Sequence, residues 1–139
     1  MSIHMKKISL FGLGLFLAGC VSVSNIEEVS NPRAPMTKIK QVRVGMTAPE
    51  VAGLMGQELR IGYQVKEQDS GSYEALIIKN PSRSEVINAA SGKYTVEYYF
   101  TQVNKADNII AEDELTPLVF QDGKLIAKGW DPLFKLKNN

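Results

Sequence analysis

The sequence predicts an α+β domain, with a short N-terminal helix packed on an antiparallel sheet of about four to five strands. Three observations carry that expectation. A capping box and an i, i+3, i+4 apolar spacing surround Thr47 to Met55. Downstream segments alternate apolar and polar residues with period two. Asp122-Gly123 stands between two apolar runs, a strong hairpin signal. The 139 residues are 44% apolar and 22% charged, which suits one small globular domain.

The chain opens with an export signal. Met5-Lys6-Lys7 is a basic start, Ile8 to Leu17 is apolar, and Ala18-Gly19-Cys20 supplies small residues before a cut. The apolar run is well short of the ~20 residues that span a bilayer as a helix. Leu17-Ala18-Gly19-Cys20 resembles the bacterial lipobox, which implies cleavage between Gly19 and Cys20 and lipid attachment at Cys20. The two or three acyl chains of such an anchor hold far more firmly than one. Val21 and Ser22 put no Asp at the second mature position, which by the enterobacterial sorting pattern implies the outer membrane, facing the periplasm. Residues 1–19 are thus expected to leave as signal peptide. Residues 20–36, with Pro32 and Pro35, read as a tether, 37–134 as the domain and 135–139 as a tail.

Cleavage there leaves 120 residues with 14 basic and 15 acidic side chains. No basic field invites nucleic acid. The one histidine, His4, departs with the signal, and the one cysteine is Cys20. A Ser-His-Asp or Cys-His site, or a zinc site built on those residues, is then excluded from the mature chain.

The elements follow in order. Thr47 and Glu50 form the capping box, Pro49 is tolerated in the first turn, and Val51, Leu54 and Met55 share an apolar face. Gly56 stops a helix of roughly 48–55. Leu59, Ile61, Tyr63 and Val65 alternate with polar residues, and Tyr73 to Lys79 is a second strand beyond the Ser70-Gly71-Ser72 turn. Asn80-Pro81-Ser82 breaks it, and Ser84 to Ala89 reads as a short strand or a helical turn. In the next strand Tyr94, Val96, Tyr98 and Phe100 share one face, with Thr95, Glu97, Tyr99 and Thr101 opposite. Gln102 to Glu114 is a polar loop, and Leu115 to Phe120 and Leu125 to Trp130 flank the Asp-Gly turn.

Ile39 to Gly56 resembles the SmpA/OmlA, or BamE-like, lipoprotein family. Gly45, Met46, Thr47, Val51, Leu54 and Gly56 sit at the positions of its helix signature, and Phe120-Gln121-Asp122-Gly123 matches its hairpin ending. The resemblance implies a small outer-membrane lipoprotein of that fold, without cofactor, acting by contact with another envelope protein. Gln57-Glu58 follows Gly56 where the family usually has Pro, and Asn80 to Glu114 is a long insertion. The expectation is therefore a relative of the fold rather than the β-barrel assembly subunit itself.

The leading expectation is a non-enzymatic interaction or scaffolding module in envelope maintenance. Its contact patch is expected at Tyr99, Trp130 and Phe134, because Tyr99 lies opposite the core-facing side of its strand. The alternative is a small-ligand or Ca²⁺-binding lipoprotein using the loop from Asp107 to Glu114. Asp107 and Glu114 overlay the fifth and twelfth positions of an EF-hand loop, but Val103 and Lys105 occupy its first and third. Glu112, Asp113 and Glu114 are also weighed as the carboxylate pair of a peptidoglycan hydrolase; three adjacent acids more simply make a solvated loop. Lys38, Lys40 and Arg43 read as a polar flank to the helix, with anionic lipid headgroups as the other reading.

Overall fold

The computed structural model describes residues 27–28, 34–66 and 71–139. Three α-helices and seven strands follow one another along these residues. They are β1 (Glu27–Glu28), α1 (Ala34–Gln41), α2 (Ala48–Met55), β2 (Glu58–Val65), β3 (Tyr73–Lys79), β4 (Arg83–Ala89), β5 (Gly92–Phe100), β6 (Leu115–Gln121), β7 (Lys124–Lys128) and α3 (Trp130–Lys137). The α+β class holds, but the strands divide between two sheets. An antiparallel sheet runs in the order β4-β5-β6-β7, and a smaller one in the order β1-β2-β3, with β1 parallel to β2. The signal peptide, Gly19, Cys20 and most of the expected tether lie outside the described residues.

The larger sheet is covered on both faces. Tyr94, Val96, Tyr98 and Phe100 of β5 join Leu59 of β2, Leu115 and Val119 of β6 and Leu133 of α3 in one cluster. Tyr99, Leu118, Phe120 and Leu125 point the other way and meet Val42, just beyond α1, and Val51 and Met55 of α2. Two covered faces account for Tyr98, Tyr99 and Phe100 all being buried in succession. Each aromatic brings a large area to one core or the other.

Helix α2 forms where its capping box predicts. The Thr47 backbone N–H and hydroxyl both donate to Glu50 Oε2, at 2.8 and 2.9 Å, and the Glu50 N–H returns to Thr47 Oγ1 at 3.4 Å. The Thr47 backbone N–H, then its hydroxyl, hold the Glu50 carboxyl below its ordinary value. Gly56 ends the helix at φ 84°, where a side chain would be strained. Gly53, by contrast, is exposed in the helix interior, and a Cβ there would meet nothing within 4 Å. Gly53→Ala is therefore expected to raise stability by roughly 0.5–1 kcal/mol, read as a higher urea midpoint at unchanged m.

Two helices differ from the sequence expectation. Helix α1 begins inside the expected tether, and α3 replaces the end of the last expected strand and most of the tail. Helix α1 is anchored at its C-terminal end, where Lys128 Nζ of β7 donates to the carbonyls of Ile39 at 3.2 Å and Val42 at 3.0 Å. Arg43 donates to the Lys40 carbonyl at 2.9 Å. Lys38 and Lys40 occupy the helix's last turn, so the basic stretch suits the helix dipole. Helix α3 starts after Gly129 at φ 101°, with Asp131 in its first turn and Lys135 and Lys137 in its last.

Candidate functional site

The helix signature builds framework. The Gly45 N–H donates to the Leu125 carbonyl at 2.8 Å, and the Leu125 N–H donates to the Met46 carbonyl at 2.8 Å. Thr47 then bridges antiparallel to Lys124. Gly45-Met46-Thr47 thus pairs with the outer edge of β7, while Gly45 turns at φ 93°. Asp122 and Gly123 both have positive φ, 50° and 76°, as the two-residue hairpin requires. The capping box and the Asp-Gly turn, distant in sequence, are parts of one joint that seats α2 on the sheet.

The expected patch of Tyr99, Trp130 and Phe134 does not form as one surface. Tyr99 is fully buried under α1 and α2, with its hydroxyl donating to Glu97 Oε2 at 3.0 Å. Burial first, and the neighbouring Glu97 carboxylate second, raise its pKa. Trp130 and Phe134 lie across the sheet on α3, their ring centroids 5.9 Å apart. Of the three only Phe134 is strongly exposed, at 54%. The expectation failed because it allowed the sheet only one covered face.

Trp130 instead belongs to a fixed cluster. Its Nε1 donates to the Leu115 carbonyl at 3.0 Å, and its ring centroid lies 5.7 Å from that of Tyr98. The Arg83 guanidinium sits 3.7 Å from the Tyr98 ring centroid and pairs with Glu112 at 2.7 Å. The Tyr98 hydroxyl donates to Glu85, which also accepts from Lys137 Nζ at 2.7 Å. Burial, then the bond to Glu85, pushes the Tyr98 phenol up to about 12. Lys137, then Tyr98, hold the Glu85 carboxyl below its ordinary value. A depressed carboxyl adds stability in full above its unfolded pKa, and this is lost as pH falls through the depressed folded value. The stability gap between the native chain and Glu85→Gln is thus expected to be widest near neutrality and to shrink in acid, as urea titrations across that range will show.

The acidic loop is closed from within. Glu114 is 2% exposed, and its carboxylate accepts backbone N–H groups from Asn104 at 2.7 Å, Lys105 at 3.2 Å and Ala111 at 3.1 Å. Asp107 Oδ1 accepts from the Ile109 N–H at 3.0 Å, and Asp113 Oδ2 accepts from Asn104 Nδ2 at 2.7 Å. The reading of Asp107 and Glu114 as cation ligands therefore gives way to one in which both shape the loop. Among the described residues no group of three His, Cys, Asp or Glu side chains is placed to hold a metal. The loop docks on β2, where Asn108 Nδ2 donates to the Tyr63 carbonyl at 3.3 Å. A cavity of about 60 Å³ remains beneath it, a size for water and not for an organic ligand.

The surface that stands out was absent from the sequence expectation. Strands β2 and β3 pair Arg60 with Ile77, Tyr63 with Ala75 and Val65 with Tyr73, and directly paired residues share a face. A bulge between Arg60 and Gly62 keeps that face continuous along both strands. Leu59, Ile61 and Ile78 pack into the core from the inner face. On the outer face Tyr63 is 54% exposed, Val65 54%, Tyr73 71% and Ile77 41%. The Arg60 guanidinium lies 5.4 Å from the Tyr63 ring centroid. Exposed apolar side chains are ordinary singly, whereas a contiguous strip marks a contact surface. Period-two alternation points Tyr63 and Val65 inward with Leu59 and Ile61. The bulge inverts the phase midway along β2, so the outer strip was invisible to the simple pattern.

The family model described as "Protein of unknown function (DUF3192)" matches residues 28–134. The chain belongs to this DUF3192 family. The match runs from the end of β1 into α3 and so takes in the signature joint, the closed loop and the β2–β3 strip. No curated protein and no solved structure matches the chain. Among the described residues no helix is long and apolar enough to cross a membrane.

Proposed function

We propose that this DUF3192 protein is a non-enzymatic contact module of the bacterial outer membrane, lipid-anchored at Cys20 on the periplasmic side and serving envelope maintenance. The observation that carries the reading is the exposed strip Tyr63, Val65, Tyr73 and Ile77 on the outer face of β2–β3. It replaces Tyr99 as the contact surface. The lipobox-like Leu17-Ala18-Gly19-Cys20 and the BamE-like helix signature support the address. The partnered state of Glu112, Asp113 and Glu114 and the lack of His or Cys after Cys20 support a role in contact over catalysis.

Two measurements in cells test this reading. Incorporation of a fatty-acid analogue is expected in the native chain and lost in Cys20→Ser; equal labelling of both rejects the anchor. A photo-crosslinking residue at Tyr73 is expected to form adducts with an envelope component, and one at exposed Asn88 on the α2 side of the larger sheet is not. Bare monomer from Tyr73 rejects the surface.

A further inference from the structure

The lipid-anchor reading, on which this inference rests, puts the strip under a distance constraint. Strand β1 pairs Glu27 with Leu59 and Glu28 with Arg60, so the chain enters at the base of the β2–β3 ribbon. From Cys20 to Glu27 there are seven residue steps, at most about 25 Å even when fully extended. The ribbon itself, Glu58 to Val65, is also seven steps long and extends ~23 Å from that base. A lipid at Cys20 therefore keeps the base of the outer face within one tether length of the bilayer and lets the rest of the ribbon reach the membrane surface. A domain with a radius of gyration near ~13 Å is thus held with its β1–β2 edge no farther from the membrane than about its own width.

The chemistry of the face agrees with that position. Tyr63 and Tyr73 are amphipathic rings of the kind enriched at headgroup level, and Val65 and Ile77 lie beside them. Arg60 and Lys79 stand on the same face as Glu58, and Glu28 of β1 is in register with Arg60. Long cationic side chains cover apolar surface while their heads remain among phosphates and water. The near balance of charge gives apolar and aromatic contact the larger share, and attraction to anionic lipid the smaller.

We infer that the outer face of β2–β3 rests on the bilayer to which Cys20 is attached, with Tyr63, Val65, Tyr73 and Ile77 at headgroup depth. The domain then lies against the membrane and turns the α1–α2 side of its larger sheet to the periplasm.

The test uses the lipidated full chain. Lipidation consumes the only thiol, so Tyr73→Cys and Asn88→Cys each offer one site for a polarity-sensitive nitrobenzoxadiazole dye. The proteins are reconstituted in phosphatidylcholine vesicles, with and without a minority of phosphatidylglycerol. The dye at position 73 is expected to brighten several-fold and to be quenched by a headgroup-level nitroxide lipid in both vesicle types. The dye at position 88 is expected to stay as it is in water. If position 73 stays water-like while the protein still floats with the vesicles, the seating is overturned and the anchor stands. If the native chain incorporates no fatty acid, the anchor reading fails and the seating fails with it. In cells, a photo-crosslinker at Tyr73 that yields one discrete protein adduct in place of lipid adducts assigns the face to a protein and also overturns the seating.

Discussion

Replacing Glu114 with alanine is expected to destabilise the domain by about 3 kcal/mol, with amide exchange accelerated across residues 102–111. The carboxylate is buried and accepts three backbone N–H groups from both ends of the loop. An orphaned buried donor costs ~1–3 kcal/mol, and access of water through the small cavity beneath the loop holds each near the low end. Glu114→Gln keeps one oxygen acceptor but turns an amide donor toward the others, so an intermediate loss is expected. Urea unfolding gives the magnitude and hydrogen exchange the location. A loss below ~1 kcal/mol for the alanine variant would show that the loop is held elsewhere. Added Ca²⁺ is expected to leave the native melting temperature unchanged, because the oxygens that would bind it already face N–H groups.

Tyr98→Ala is expected to cost about 3–5 kcal/mol, the range for losing a large buried aromatic. The ring carries Arg83 on its face and Trp130 at its side, so its removal takes the support from α3 as well as from the core. Tyr98→Phe keeps the ring and loses only the bond to Glu85, for a cost near ~1 kcal/mol. Trp130 is the one tryptophan in the chain and reports both changes. In the alanine variant its emission is expected to shift red as the α3 start loosens, and in the phenylalanine variant to stay put. Equal shifts in both would place the support of Trp130 in the hydroxyl and not the ring.

Much of this fold is written in local pattern. The Thr47–Glu50 box, the Gly56 stop and the Asp122-Gly123 turn each act over a few residues, so the α2 and β6–β7 boundaries could be read directly. The alternation of β5 also held, with Tyr94, Val96, Tyr98 and Phe100 together in one cluster. What lies on the other side of a strand is a tertiary fact, however. Tyr99 departs from its expected place because nothing near it in sequence announces that α1 and α2 cover that face. Helix α3 does carry a local signal: Asp131-Pro132 suits a first turn, and Trp130, Leu133 and Leu136 recur at helical spacing. The β2–β3 strip was hidden more deeply. One bulge reverses the inward and outward phase, and a strict period of two then assigns Tyr63 and Val65 to the wrong side.

On the proposed reading, the β2–β3 outer face is kept for contact and does little for folding. The direct measurement is Tyr63→Glu with Tyr73→Glu, followed by thermal melting and by crosslinking in cells from a probe at Val65. Both tyrosines are more than half exposed, so the melting temperature is expected to move by no more than a few degrees, the usual scale of ~0.5 kcal/mol per surface site. Adducts at Val65 are expected to vanish while Cys20 labelling continues. Adducts that persist at the native level beside an unchanged melting temperature would contradict the claim, because the strip would then be exposed without being used.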